Sequence, residues 1–263
     1  MPELVIRKML PADEYFVATC SHVNESEETD ACGRRRLRLL HELIGKGAVV
    51  KAALLDGEHA GFAFGVPIEH SSWGPVGQDL MVIPCLYVLS RAAGKGIGRS
   101  LMEAIEKDAR TAARRGTTIM GFRDLPGVEW LLPAAFFEHL GYEEIDRRGY
   151  YALLWKPFTN NAEKPRFLDP TYRYQPVEGK AVVDLFFNEF CQTSGIEAQR
   201  VREVCAEFGD RVILNEFCAD DHDTLLACGI ERGIYVNGAE VGWGYEAPRD
   251  GLREAIEKAL GDL

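Results

Sequence analysis

The stretch "CLYVLSRAAGKGIGRSLMEAIEKDA" (residues 85–109) passes from an apolar run, through three glycines in five positions, into an amphipathic helix. Glycine weakens a helix, so its crowding at a helix start needs a reason. Either the chain turns tightly at Gly94, Gly96 and Gly98, or something must come very close to its backbone. A helix N-terminus offers unpaired N–H groups and the positive end of the helix dipole, which suit a phosphate. Lys95 and Arg99 add positive charge beside it. Ile97, Leu101, Ile105 and Ala109 recur at four-residue spacing and are expected to face a core, with Arg99, Glu103, Glu106 and Lys107 outward. Two familiar phosphate loops are excluded: GxxxxGK[ST] is absent, and the glycines are spaced GxGxG rather than GxGxxG. On glycine content alone, a tight strand-to-helix turn without a ligand is the alternative.

Outward from this helix, strands are expected at 4–9, 48–55, 59–66, 81–89, 117–122 and 149–155. Helices are expected at 12–20, 34–45, 98–113 and 132–140. Strands interspersed with helices imply one mixed sheet covered by helices. The segment 156–180 carries four prolines and no period of 2 or 3.6, and reads as a linker or surface strap. Beyond it the pattern gives a buried strand at 181–190, a helix at 195–208, a strand at 211–216, a short helix at 222–228, a strand at "GIYVNG" (233–238) and a closing helix at 249–260. The expected division is therefore a first domain over 1–157, a Pro-rich linker over 158–178 and a smaller α/β domain over 179–263.

The 263 residues carry a formal net charge of −11, which argues against a general nucleic-acid binder. The charge is uneven: 19 Lys and Arg face 21 Asp and Glu over 1–158, against 11 and 20 over 159–263. An anionic ligand is better received by the first part. No apolar run is long enough to span a bilayer, and Met1 to Met9 lacks the apolar centre of a signal peptide. Seven cysteines in no repeated spacing, with no zinc-type Cys/His pairing, read as reduced thiols of a cytoplasmic protein without a metal site.

The opening stretch resembles the acetyl-CoA-binding motif of the GNAT N-acetyltransferase superfamily, in which a strand leads into an R/Q-x-x-G-x-G/A loop. Aligned on GKGIG, that loop is Ala93 to Gly98, with Ala93 where the family has Arg or Gln. Arg91-x-x-Gly94-x-Gly96 fits the same pattern in a second register. "AAFFEHLGYEEID" (134–146) resembles the later F-Y-x-x-x-G-F motif through Phe136, Gly141 and Tyr142. The resemblance covers roughly residues 3–156. It implies a mixed, largely antiparallel sheet with flanking helices and direct transfer of acetyl from acetyl-CoA, as co-substrate, to an amine. It also implies that the backbone of Leu86, Val88 and Leu89 pairs with the pantetheine arm, while Gly94, Lys95, Gly96, Ile97, Gly98 and Arg99 hold the pyrophosphate. The N–H of Val88 or Leu89 is the candidate oxyanion contact.

Catalytic groups are less defined. The motif's tyrosine, often the acid for the departing thiolate, falls on Phe137, so Tyr142, Ser90 or water would have to serve. The connection "GVPIEHSSWGPVGQD" (65–79) is expected to border the acceptor side of the cleft. It offers Glu69, His70 and Asp79 as candidate bases, His70 having the most suitable ordinary pKa; Glu129 and Trp130 are further cleft candidates. Each of these also reads as an ordinary solvated loop residue. "ESEETD" (25–30) reads as a solvated acidic turn, and "RRRLRLLHELI" (34–44) as an amphipathic helix.

"VVDLFFNEFCQTSGIEAQRVREVCAEFGD" (182–210) resembles the opening βα unit of the thioredoxin-like fold, with "GIYVNGAEVGWG" and "PRDGLREAIEKAL" as its last hairpin and helix. Cys191 then stands at a helix N-terminus, where the dipole favours a thiolate, and Ser194 makes the motif CxxS. Against this, Ser194-Gly-Ile-Glu197 reads as a capping box that starts the helix near 195 and leaves Cys191 a turn upstream. Three readings follow: an N-acetyltransferase with a thioredoxin-like accessory domain, a catalytically silent CoA-binding or interaction protein, and a thiol-redox protein using Cys191. The acceptor is a small-molecule or peptide amine, with no nucleic acid or membrane partner; a homodimer is left open.

Overall fold

The apolar stripe of residues 97–109 finds its partner in a sheet. The computed structural model describes residues 3–123, 132–243 and 246–262, and the chain divides into two units: Met1–Val23 with Leu40–Leu168, and Asn24–Leu39 with Asp169–Leu263. The first unit contains β1 (Leu4–Lys8), α1 (Glu14–Ala18), β2 (Val49–Leu55), β3 (Glu58–Pro67), β4 (Leu80–Val82), β5 (Leu86–Val88), α3 (Ile97–Thr111), β6 (Gly116–Phe122), α4 (Ala134–Glu138), β7 (Glu143–Arg148) and β8 (Tyr151–Pro157); helix α2 (Glu27–Gly45) falls partly in each unit. The sheet runs β1-β2-β3-β4-β6-β8-β7, with β5 paired to β3. Every pairing is antiparallel except that of β4 with β6. It is the mixed, largely antiparallel sheet with flanking helices that the family resemblance implies.

Helix α3 buries Ile97, Leu101, Ile105 and Ala109 against Ala63, Met81, Ile83, Ile119 and Leu154 of the sheet. It lies close: a Cβ added to Gly65 would stand 2.9 Å from Ile105 Cγ2. Glu106, expected outward, is instead buried and accepts two bonds from Lys156 Nζ at 2.8 and 3.0 Å. A long cationic side chain arriving from β8 supplies the partner that an inward carboxylate needs.

Three further expectations are corrected. The acidic "ESEETD" is not a turn. Glu27, Glu28 and Asp30 form the first turn of α2, where acids complement the dipole, and Ser26 Oγ caps the Thr29 N–H at 3.1 Å. Strand β7, "EEIDRR", was hidden by its charge, which suits an exposed edge strand. The expected boundary at 157 moves to 168: Phe167 packs with Met120 and Leu153, and Arg166 exchanges backbone bonds with Val76 at 2.9 and 3.0 Å.

The second unit contains β9 (Ala181–Phe187), α5 (Gln192–Glu207), β10 (Val212–Cys218), α6 (His222–Cys228), β11 (Gly233–Val236), β12 (Ala239–Val241) and α7 (Arg249–Gly261). Its sheet order is β10-β9-β11-β12, with β9 and β10 parallel and β11 antiparallel to both its neighbours. Val183, Leu185 and Phe187 of β9 pack with Ala198, Val201 and Val204 of α5 and with Leu252 and Ile256 of α7. On the other face Phe186 stacks on Phe217, and the buried Asp184 accepts from Tyr172 Oη at 2.5 Å and Asn215 Nδ2 at 2.8 Å. Tyr172 belongs to the expected linker, which is therefore a docked strap. Residues 24–39, which include the first part of α2, also belong to this unit, through Glu28 on Arg200 at 2.6 Å and Arg35 on Glu189 at 3.0 Å.

The strap closes tightly over α6. Gly229 ends that helix at φ +70°, and a Cβ there would run into the Asp169 carbonyl. Gly229→Ala is expected to lower the urea midpoint of unfolding by more than Gly209→Ala, which shares a positive φ of +55° but has open space around it. Backbone strain alone costs about 1–3 kcal/mol, and equal losses at both positions would contradict the tight closure.

Candidate active site at the splayed strand

Between β4 and β5 lie Ile83, Pro84 and Cys85. Ile83 donates the last bond to β6, N–H to Thr118 O at 2.9 Å. Pro84 has no N–H with which to continue that ladder, and from there β5 pairs with β3 alone. Phe64 N–H donates to Cys85 O at 3.0 Å and Leu89 N–H to Ala60 O at 2.9 Å. These two pairs, with Tyr87 opposite Phe62, are the hydrogen-bonded positions of the antiparallel ladder. Leu86 and Val88 are the intervening positions, so their N–H and C=O groups face away from β3, toward the gap where β6 has diverged. The far side of that gap is closed by Phe122 N–H donating to Leu132 O at 2.8 Å, just before α4. Of the two candidate oxyanion donors, Leu89 is therefore committed to β3, and Val88 is left.

The gap leads to the glycine loop. Gly94 and Gly96 hold φ of +73° and +77°, and a Cβ on either would meet nothing within 4 Å. Those two glycines are there for backbone conformation. Gly98 is different: its Cβ would stand 3.1 Å from the ring of Phe136, so it makes room for α4. The first N–H to close a turn of α3 is that of Ser100, on Gly96 O at 3.1 Å. The N–H groups of Ile97, Gly98 and Arg99 precede it, at the positive end of a fifteen-residue helix. Lys95, Gly96 and Arg99 are exposed. Arg91, of the second register, donates from Nη2 to His59 O at 2.6 Å. Among the described residues no group of His, Cys, Asp and Glu could hold a metal ion.

The candidate acids and bases fare differently. Tyr142 is 4% exposed in the core, its hydroxyl hydrogen-bonded to Thr117 Oγ1 at 2.8 Å. Burial, reinforced by the Glu106 charge, pushes its phenol well above the ordinary range. It is a core residue, not a donor to the cleft. Phe137 is fully buried as well, edge-on to Tyr142. Glu69 accepts from Asp79 N–H at 2.8 Å and Arg114 Nη1 at 2.7 Å, and Asp79 pairs with Arg115 at 3.3 Å. Both carboxylates thus tie the 65–79 connection to the segment just after α3, the end of that helix opposite the glycine loop. His70 is exposed in a short 3₁₀ turn, Ile68–His70. Glu129 and Trp130 lie outside the described residues.

The sequence reading missed one group on the sheet face opposite α3. Leu86 and Val88 pack toward α3, so Tyr87 points to the other face, where its ring lies 5.7 Å from Phe62. Phe62 meets Phe16 at 5.8 Å, and Phe16 stacks on His59 at 4.5 Å. His59 Nε2 lies 2.9 Å from Asp13 Oδ1. Asp13 is fully buried; burial alone would push its pKa up, but the Leu10 N–H, His59 and Arg7 outweigh that and hold the carboxyl below the usual range. Alternation along β3 could have suggested an aromatic face; the pairing of Asp13 with a residue 46 positions away could not be read from spacing.

In the second unit Cys191 is the N-cap of α5, which begins at Gln192. The capping box does not form: Ser194 Oγ accepts the Asn188 N–H at 3.0 Å, and Glu197 is engaged by Arg232 and the Ala247 N–H.

The Glu69 pairing has a measurable consequence. Burial opposes ionisation there, but backbone N–H groups and Arg114 hold its pKa below the ordinary 4.5. A depressed carboxylate stabilises the fold above its unfolded pKa, and that contribution is lost as pH falls through the folded value. Glu69→Gln is expected to flatten the acid limb of stability below about pH 4.5, read as the melting temperature against pH. An unchanged acid limb would contradict the assigned pairing.

Known proteins similar to this chain are acetyltransferases by description. The acetyltransferase (GNAT) domain family matches residues 46–144. Among solved structures, the PaiA N-acetyltransferase of Thermoplasma acidophilum in complex with coenzyme A is 17% identical, covering 59% of this chain and 99% of its own, with a TM-score of 0.41. A putative acetyltransferase of Salmonella typhimurium solved with acetyl-CoA is 16% identical, covering 61% and 96%, with a TM-score of 0.43. No curated protein matches. Residues 46–144 carry the acetyltransferase (GNAT) domain signature.

Proposed function

We propose that the first unit is an acetyl-CoA-dependent N-acetyltransferase acting on a small-molecule or peptide amine. The observation that carries this reading is the unpaired edge of β5 running into the glycine loop. Leu86 and Val88 offer N–H and C=O groups that an amide-bearing arm can pair with as a strand would. The Ile97, Gly98 and Arg99 N–H groups, with Lys95 and Arg99, suit a pyrophosphate at the end of that arm. When bound, acetyl-CoA supplies the activated acetyl group, and the chain holds it extended along β5. The Val88 N–H, facing the gap, is the donor for the carbonyl oxygen on which charge develops.

The proton transfers are the sparse part of the site. Phe137 has no proton to give, and the Tyr142 hydroxyl is held by Thr117 in the core. A thiolate is a stable leaving group, so transfer to an amine that arrives neutral can proceed with solvent taking the proton that the acylated nitrogen loses and returning one to the thiolate as the C–S bond breaks. The same two residues support a second reading, in which the unit binds acetyl-CoA without turning it over. For the second unit we propose a thioredoxin-like fold. Its β-α-β opening, its β11–β12 hairpin and its closing helix support it.

Titration calorimetry with acetyl-CoA, using dephospho-CoA as a control, followed by an amine screen that detects free CoA, tests the proposal. Micromolar binding is expected, weakened at least tenfold by Gly96→Val, because a β-branched residue cannot adopt φ +77° without strain. Ala93→Arg should tighten binding by supplying a guanidinium at the exposed loop position. Phe137→Tyr should lower stability without raising turnover, since its hydroxyl would be buried without a partner. Absence of binding at millimolar acetyl-CoA would overturn the reading; binding with no turnover of any amine would favour the silent alternative.

A further inference from the structure

The start of α5 holds a second cysteine that the sequence gives no reason to connect with Cys191. Cys32, on the part of α2 that belongs to the second unit, is fully buried, and its Sγ donates to Gln192 O at 3.3 Å. Gln192 is the residue after Cys191. Gly195, one turn into the same helix, makes room for that sulfur, since a Cβ there would stand 2.8 Å from Cys32 Sγ. Neighbouring residues fix α2 in this place: Arg35 Nη2 donates to Gly195 O at 3.2 Å, and the Arg36 guanidinium lies 5.5 Å from the centre of the Phe190 ring. Ser194, which the CxxS spacing would make the partner of Cys191, is turned to the Asn188 N–H.

We propose that Cys191 and Cys32 form a two-thiol redox site, with Cys191 the reacting sulfur and Cys32 the resolving one. The two differ in the way such a pair requires. Cys191 is partly exposed at the N-cap, at the positive end of a sixteen-residue helix, whereas Cys32 is buried beside that helix's first turn. Gly195 N–H donates to Cys191 O at 3.0 Å, so the glycine that admits the Cys32 sulfur sits one turn below Cys191 on the same helix, and burial pushes the Cys32 thiol up to about 12. The oxidant is a hydroperoxide. The Cys191 thiolate attacks its outer oxygen, an S–O bond forms as the O–O bond breaks, and the departing alkoxide or hydroxide takes a proton, leaving Cys191 as a sulfenic acid. Cys32 then attacks the Cys191 sulfur; the S–S bond forms, the S–O bond breaks, and hydroxide leaves with the Cys32 proton as water. Two thiols lose two electrons in all, and the peroxide bond takes them up.

The test uses the full chain treated with one equivalent of hydrogen peroxide, then alkylated and digested with trypsin without reduction. A Cys20→Ser background leaves Cys32 as the lone cysteine of the peptide spanning 9–34, and Cys191 is the lone cysteine of that spanning 181–200. The expected result is a disulfide between these two peptides and loss of two of the chain's thiols. In Cys32→Ser the link should vanish and Cys191 should become trappable by dimedone, whereas Cys205→Ser should change nothing. A Cys191 that goes to sulfinic acid or to an interchain disulfide while Cys32 stays free would overturn the proposal, as would a link to any other cysteine. Should Cys32→Ser fail to fold, the digest of the Cys20→Ser chain decides alone.

Discussion

The first unit depends on the loss of one ladder. Up to Ile83 the β4 strand is held on both edges, by β3 and by β6. Pro84 cannot donate the next bond, so β5 continues on β3 alone while β6 carries on with β8. A sheet interior normally leaves no backbone group without a partner, and an interruption there is tolerated only where something else can supply one. The gap so made adjoins the N-terminus of α3, where a Cβ on Gly98 would stand 3.8 Å from Val88 Cγ2, and Gly94 and Gly96 give the loop before it its left-handed turns. The N–H and C=O groups of Leu86 and Val88 on the open edge, and the Ile97, Gly98 and Arg99 N–H groups at the start of α3, are the groups on which the chemistry proposed for this unit rests.

Much of this was legible in the sequence, because the signals are local. The spacing of Ile97, Leu101, Ile105 and Ala109 gave the buried face of α3, and the crowding of glycines gave its start. The sequence did not distinguish the glycines: Gly94 and Gly96 serve backbone conformation, while Gly98 serves the approach of Phe136, a residue 38 positions away. The catalytic candidates were illegible for a related reason. Glu69, Asp79 and Tyr142 each carry suitable chemistry, and each is committed to a partner (Arg114, Arg115 and Thr117) that only the tertiary structure supplies. Charge also misled, since the acids of 27–30 read as a turn although they sit where a helix dipole favours them.

The second unit shows the same division between local and distant information. Its strands and helices follow from apolar runs and turn residues, and the order of its elements was expected. Its membership was not. That Asn24–Leu39 belongs with Asp169–Leu263 depends on ion pairs such as Glu28 with Arg200, and on a cysteine whose sulfur needs the missing side chain of Gly195. Pairings 160 or more residues apart leave no periodicity in the chain.

The most direct test of the central claim is amide hydrogen exchange resolved at β5. Tyr87 and Leu89 are bonded into β3 and should exchange slowly with or without ligand. Leu86 and Val88 should exchange faster in the free protein and become protected on saturation with acetyl-CoA. Protection of Leu86 and Val88 already complete in the free protein, or unchanged while acetyl-CoA binds, would contradict the account of the open edge.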